Sequence, residues 1–159
     1  MKQGAARHFV IAFLLALFLY ITTYSFIEHM RQRKGGWQVT FASDSSGKPF
    51  VTVVQNALGI IDLQLRFAGE EIAVTNLQHT IIFDRPSTNA PFGQIIFIDT
   101  TFLPGTITFD FFGHEVELLP RVLIVNKQEV PWRSSRSIEL RPEEKLPMEV
   151  RKRQRKVTN

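Results

Sequence analysis

The chain has 159 residues, a length that fits one domain, and its 44% apolar and 11% aromatic content excludes a disordered chain. It has no Cys, which excludes disulfides, thiolate nucleophiles, CxxC redox chemistry and Cys-ligated zinc. The formal net charge of +4 sits at the two ends. Residues 36–140 are acidic in balance, so the basic pI is no argument for nucleic acid binding by the body.

Residues 1–8 form a short basic N-tail with Lys2 and Arg7. Residues 9–27, FVIAFLLALFLYITTYSFI, carry no charge. At ~1.5 Å per residue a helix of that length nearly crosses the ~30 Å hydrocarbon core of a bilayer. Phe9, Phe13, Leu14, Leu17, Leu19, Tyr20, Tyr24 and Phe26 are the expected anchor residues, with the tyrosines placed to reach the interface. A cleaved signal peptide would have a shorter apolar region and a small-residue site, and YSFIEHMRQRK offers none. A buried core helix would show a polar stripe, and residues 9–21 show none. The reading is an uncleaved single-pass anchor. Lys2 and Arg7 before it nearly balance Arg31, Arg33 and Lys34 after it. A first apolar segment behind a short basic tail commonly acts as a signal anchor, which favours an extracytoplasmic body over a cytoplasmic one. A pilin-like subunit is excluded, because Gly4 is followed by AARHFVIAF and no Glu stands five positions on.

Residues 28–36 read as a juxtamembrane linker. Beyond them the apolar period changes to two. In 60–67, IIDLQLRF, Ile61, Leu63, Leu65 and Phe67 alternate with Asp62, Gln64 and Arg66. In 106–111, TITFDF, Ile107, Phe109 and Phe111 alternate with Thr106, Thr108 and Asp110. The continuous apolar run 95–98 suits a covered strand. Further strands are expected at 37–42, 50–55, 72–75, 79–84, 115–119, 121–125, 129–132 and 137–140. Turn residues recur about every 8–12 positions, as in sandwiches and barrels. The expectation is an all-β body over 37–140: a single antiparallel β-sandwich or barrel-like domain after one N-terminal transmembrane helix.

Gly113-His114-Glu115 poses the question of a catalytic or metal site. The zinc-protease pattern H-E-x-x-H fails, because the second His is missing and the alternation is that of a strand. A hairpin with Gly113-His114 as the central residues of a type II′ turn pairs Phe111 with Val116 and Phe109 with Leu118 on one face. It leaves His114 facing solvent and opposes Asp110 to Glu117 on the outer face. Like charges so placed are unfavourable, which makes Asp110, Glu115 and Glu117 a candidate partner surface, together with Trp132 after Pro131.

No G-x-S-x-G, P-loop, G-x-G-x-x-G or calcium-loop motif occurs. His79 with Ser134, Ser135, Asp84 and Asp99 could form a triad only by assembly in space. No catalytic residue, metal site or cofactor is expected. Residues 141–159 read as a basic flexible tail. Arg151, Lys152, Arg153, Arg155 and Lys156 would attract an anionic surface, and no aromatic residue is interleaved to stack bases. The sequence therefore points to a membrane-anchored, non-enzymatic binding or assembly module in a membrane or envelope complex. Its expected partners are lipid and other membrane or envelope proteins, not nucleic acid or a small-molecule substrate. The alternatives are a membrane-tethered hydrolase built from scattered residues and a cytoplasmic tether holding nucleic acid or lipid through its tail.

Overall fold

A computed structural model describes residues 2–132 and 136–147. The chain divides into two compact units, residues 1–33 and residues 34–159.

The first unit is one helix, α1, Lys2–Gln32. Its stretch Ala6–Gln32 holds an 18-residue run with a mean hydropathy of 2.2 and has no buried residue, which makes it long and apolar enough to cross a membrane. All eight expected anchor residues are exposed on it. Tyr20 and Tyr24, one turn apart, stack at 6.2 Å between ring centroids. The helix runs past the expected end at Ile27, through a polar last turn. There the Glu28 carboxylate accepts from Arg31 Nη2 at 2.7 Å and from Gln32 Nε2 at 2.6 Å.

The second unit is built of strands in two sheets. In chain order they are β1 Trp37–Ser43, β2 Pro49–Gln55, β3 Ile60–Phe67, β4 Gln78–Phe83, β5 Gln94–Asp99, β6 Thr106–Phe111, β7 His114–Leu118, β8 Leu123–Val125, β9 Gln128–Val130 and β10 Ser137–Leu140. The first sheet runs β10-β3-β2-β1-β4 and the second β5-β6-β7-β8-β9. Among the described residues neither sheet closes into a barrel.

Period-two alternation puts Val39, Phe41, Val51, Val53, Leu63, Leu65 and Phe67 from the first sheet into one core cluster with Ile107, Phe109, Phe111, Val116 and Leu118 from the second. Phe41 meets Phe109 and Phe111 edge-on at 6.3 and 6.1 Å, and Phe83 meets Phe109 at 5.7 Å. Trp37 opens β1 fully buried and donates through Nε1 to the Gly105 carbonyl at 3.0 Å. Gly36 precedes it because the Phe83 carbonyl lies where a Cβ would stand, at 2.3 Å.

Four sequence expectations are corrected. Ile61 is exposed and Ile60 takes its place inside, because the β2–β3 register shifts between Val53 and Gln55. The run 95–98 lies in an edge strand with Phe97 exposed, not in a covered one. Residues 72–75 are not a strand. Their backbone is bonded to the β1–β2 loop and to the end of β1: Ile72 N–H donates to the Gly47 carbonyl at 2.9 Å, and the Val74 carbonyl accepts from Ser43 Oγ at 2.7 Å. The pairing is also not wholly antiparallel, since β10 joins β3 in parallel, with Ile138 beside Leu65. The chain crosses the whole second sheet between these two strands, so no hairpin dictates their direction.

Candidate functional site at the β6–β7 corner

The turn between β6 and β7 is centred on Phe112 and Gly113, both with positive φ (52° and 98°). Two such residues make a type I′ turn. The expected type II′ turn at Gly113-His114 is therefore corrected. The observed partners are Phe111 with His114, Asp110 with Glu115, Phe109 with Val116, Thr108 with Glu117 and Ile107 with Leu118. The shift is two residues, so every side chain keeps its expected face except at the turn itself. There His114 joins the inner face beside Phe111 and is 0% exposed rather than solvent-facing. The strain of φ > 0 at Phe112 is offset by its ring, which stacks on Phe92 at 5.7 Å and meets Phe67 at 5.3 Å.

Around this corner the polar atoms are held closely. Asn126 and Lys127 form the β8–β9 turn, again with both φ positive (50° and 69°). Asn126 Oδ1 accepts from Glu115 N–H at 3.1 Å, which leaves its amide nitrogen to face His114 Nδ1 at 3.0 Å. Nδ1 is then the acceptor, and the proton of the neutral ring sits on Nε2. Nε2 is buried without a hydrogen-bond partner among the described residues. Burial holds the imidazole below its ordinary value of 6.5, helped by Lys145 and opposed by Glu144, Glu70 and Asp110. A ring held this way offers no free base to a substrate.

On the outer face Asp110 does not meet Glu117. It faces Glu115, and its Oδ1 accepts from Gly113 N–H at 3.0 Å. Asp110 is 8% exposed and Glu115 3%, so the solvent-facing acidic surface expected from the alternation is not there. Lys127 bridges Glu115 and Glu117. Burial pushes the Glu117 carboxyl above its ordinary 4.5, a hydrogen bond shared with Glu115 pushes the same way, and Lys127 partly offsets both. For Lys127, burial works against the charged form, but its two carboxylate partners outweigh it and raise the ammonium above 10.5. Trp132 is half-buried. Its ring lies 5.3 Å from Trp37, and Nε1 donates to the Leu119 carbonyl at 2.8 Å, so it closes that end of the core.

The chain after β10 crosses to this corner. Ala68 N–H donates to the Leu140 carbonyl at 2.9 Å, Lys145 pairs with Glu70, and Leu146 N–H donates to the Gly113 carbonyl at 3.1 Å. These contacts tie β3 of the first sheet to the β6–β7 turn of the second, over His114. Sequence reasoning missed this strap. The SIEL alternation of β10 followed by Pro142 carries the signal, but the two prolines and single large apolar residue of 141–147 read as tail.

The two carboxylates of the scattered triad are each engaged by a near neighbour in sequence. Asp84 pairs with Arg85 at 3.3 Å, and Asp99 accepts from Thr101 N–H at 2.9 Å. His79 lines a groove with Ile81, Asn89 and Ile95, and Ser134 and Ser135 lie outside the described residues. A second hollow of about 350 Å³ between the β1–β2 loop and β3 is lined by Asp44, Lys48, Phe50, Arg66 and Glu139, a set the sequence reading did not collect. The described residues hold no group of three His, Asp or Glu side chains placed for a metal ion. Arg151, Lys152, Arg153, Arg155 and Lys156 lie outside the described residues. Compared with protein-family models, curated proteins and solved structures, the chain matches none.

Proposed function

We propose that this chain is a single-pass membrane protein whose two sheets form a β-sandwich working outside the cytoplasm. Its work is non-enzymatic: it is a binding or assembly module, a small subunit of a membrane or envelope complex. The observation that supports this reading is the long apolar run within the helical stretch Ala6–Gln32, none of it buried, on a chain whose strand unit fills its own core without it. A helix of that hydropathy needs an apolar surrounding, and lipid supplies one. Anchoring raises the effective concentration of the strand unit for other membrane components. Exposed Ile61, Val74, Ile82, Phe97 and Phe102 on the strand unit give it apolar contact chemistry.

The test is affinity recovery of the tagged full-length chain from gently solubilised membranes, beside a chain with Leu14, Leu17 and Phe18 changed to Arg. The expected result is a defined set of membrane proteins recovered with the native chain and lost with the triple variant. Recovery of the native chain from the soluble fraction, with no membrane protein, contradicts the proposal.

A further inference from the structure

Two five-stranded sheets have four edge strands, and the four are unlike. β9 and β10 are short, three and four residues, carry Glu129 and Glu139, and are closely followed by Pro131 and Pro142. Short length, charge and proline are the devices that keep an edge from pairing with another chain. β5 is six residues long, but its register breaks between Ile95 and Phe97 and it ends on Asp99. β4, QHTIIF, has none of these devices within its six paired residues; the Asp84-Arg85-Pro86 that follows lies beyond its last paired residue. It is six residues long, without Pro, Gly, Asp, Glu, Lys or Arg, and it pairs with β1 from Gln78 to Phe83 with no bulge. Among the described residues no strand pairs with its other side. Gln78, His79 and Thr80 are exposed, and Ile82 is 60% exposed. Nothing in the residue types of β4 protects this edge.

The outer face beside this edge is uncharged. Through the printed registers one row crosses the whole sheet: Thr80, Thr40, Thr52, Gln64 and Ser137. Thr80 and Thr40 are joined by a hydroxyl hydrogen bond of 2.8 Å.

We propose that β4 is a self-association edge: two copies of the chain pair antiparallel through Gln78–Phe83, with Thr80 opposite Thr80 of the second copy. This register keeps each side chain on its own face, because opposed residues in an antiparallel pair share a face. It sets Gln78 against Ile82 and His79 against Ile81, so no two carboxylates and no two Lys or Arg side chains are opposed. The threonine row then runs on into the second copy, as Thr–Thr cross-strand pairs favour. An acidic or basic partner strand would find no complementary charge on β4, whereas a second copy matches it. Pairing two six-residue edges falls below the about 1,200 Å² of a stable interface. The pairing therefore rests on the anchored reading, in which the bilayer confines the copies and raises their effective concentration.

The absence of Cys makes the test clean. Full-length chains carrying Thr80→Cys, Glu129→Cys or Ser137→Cys as single changes are oxidised briefly in native membranes. The expected result is a disulfide adduct of twice the chain mass for T80C, at least about fivefold above the other two edges. Adding Gln78→Lys and Ile82→Lys opposes lysines at two rungs and is expected to lower the adduct about three- to tenfold. Mixing that chain with T80C carrying Gln78→Glu and Ile82→Glu is expected to restore it, which separates lost pairing from lost folding. Equal adducts at all three edges, a T80C adduct with another protein, or no rescue in the mixture overturns the proposal. The adduct is scored in whichever fraction holds the chain. Membrane recovery without the adduct defeats edge pairing and leaves the anchored reading standing, and failure of membrane recovery defeats the anchored reading itself.

Discussion

His114 shows how far one residue can depart from its sequence context. Alternation places it at the end of a strand beside a glycine, which is where solvent-facing turn residues occur. Alternation cannot distinguish registers two residues apart, since both keep Phe109, Phe111, Val116 and Leu118 inside. The choice fell to the turn, where the rings of Phe92 and Phe67 hold Phe112 in a conformation few non-glycine residues adopt. The buried, neutral ring that results sets a pH dependence. The unfolded chain takes up the proton near 6.5, and the folded chain does so only at lower pH. The unfolded state therefore binds more protons in that window, and stability is full above 6.5 and falls as pH drops through it. Glu117 acts the other way, because its raised folded value makes acid stabilising between that value and 4.5. Urea unfolding of the full chain in nanodiscs is expected to show the loss on going from about pH 7.5 to about pH 5.5. His114→Phe is expected to flatten that loss while costing about 1–3 kcal/mol at the upper pH, because the Asn126 amide loses its acceptor. An unaltered slope in the variant contradicts the assignment.

At the scale of elements, ten of the eleven expected strands exist, because each reads as an apolar run bounded by turn residues. The segment 72–75 failed because short apolar runs do not reveal where their backbone bonds go, and here they go to a loop and to the end of β1. The parallel β3–β10 pair and the strap to Gly113 were hidden for a different reason. They join Gln64 to Ser137, Glu70 to Lys145 and Gly113 to Leu146, separations of some 30 to 75 positions for which no local pattern exists. The I′ turn at Phe112 yields a prediction in which two effects oppose. Relief of positive-φ strain favours replacement by about 1 kcal/mol, and loss of a half-buried ring costs about 1.5–3 kcal/mol. Packing wins, so Phe112→Gly, which alone removes the Cβ and its strain, is expected to destabilise by about 0.5–2 kcal/mol in urea unfolding; a stabilised variant would show that strain dominates. Gly36→Ala places a methyl against the Phe83 carbonyl and is expected to cost about 1–3 kcal/mol. Amide exchange should locate that loss in β1 and β4. Protection unchanged there would contradict the close approach.

For the whole molecule, the division into an apolar helix and a strand unit was readable because the two halves differ in period as well as hydropathy. The acidic surface was not, because alternation assigns a face without saying what covers it, and Asp110 and Glu115 proved buried. The account rests on an anchored chain with its strand unit outside the cytoplasm. The absence of native Cys allows one direct measurement: Glu129→Cys in the full-length chain, treated in intact cells with a membrane-impermeant maleimide, followed by alkaline extraction. The expected result is labelling without opening the cells and retention of the chain in the membrane pellet. Labelling only after the membranes are opened, or release of the chain by alkali, would contradict the account.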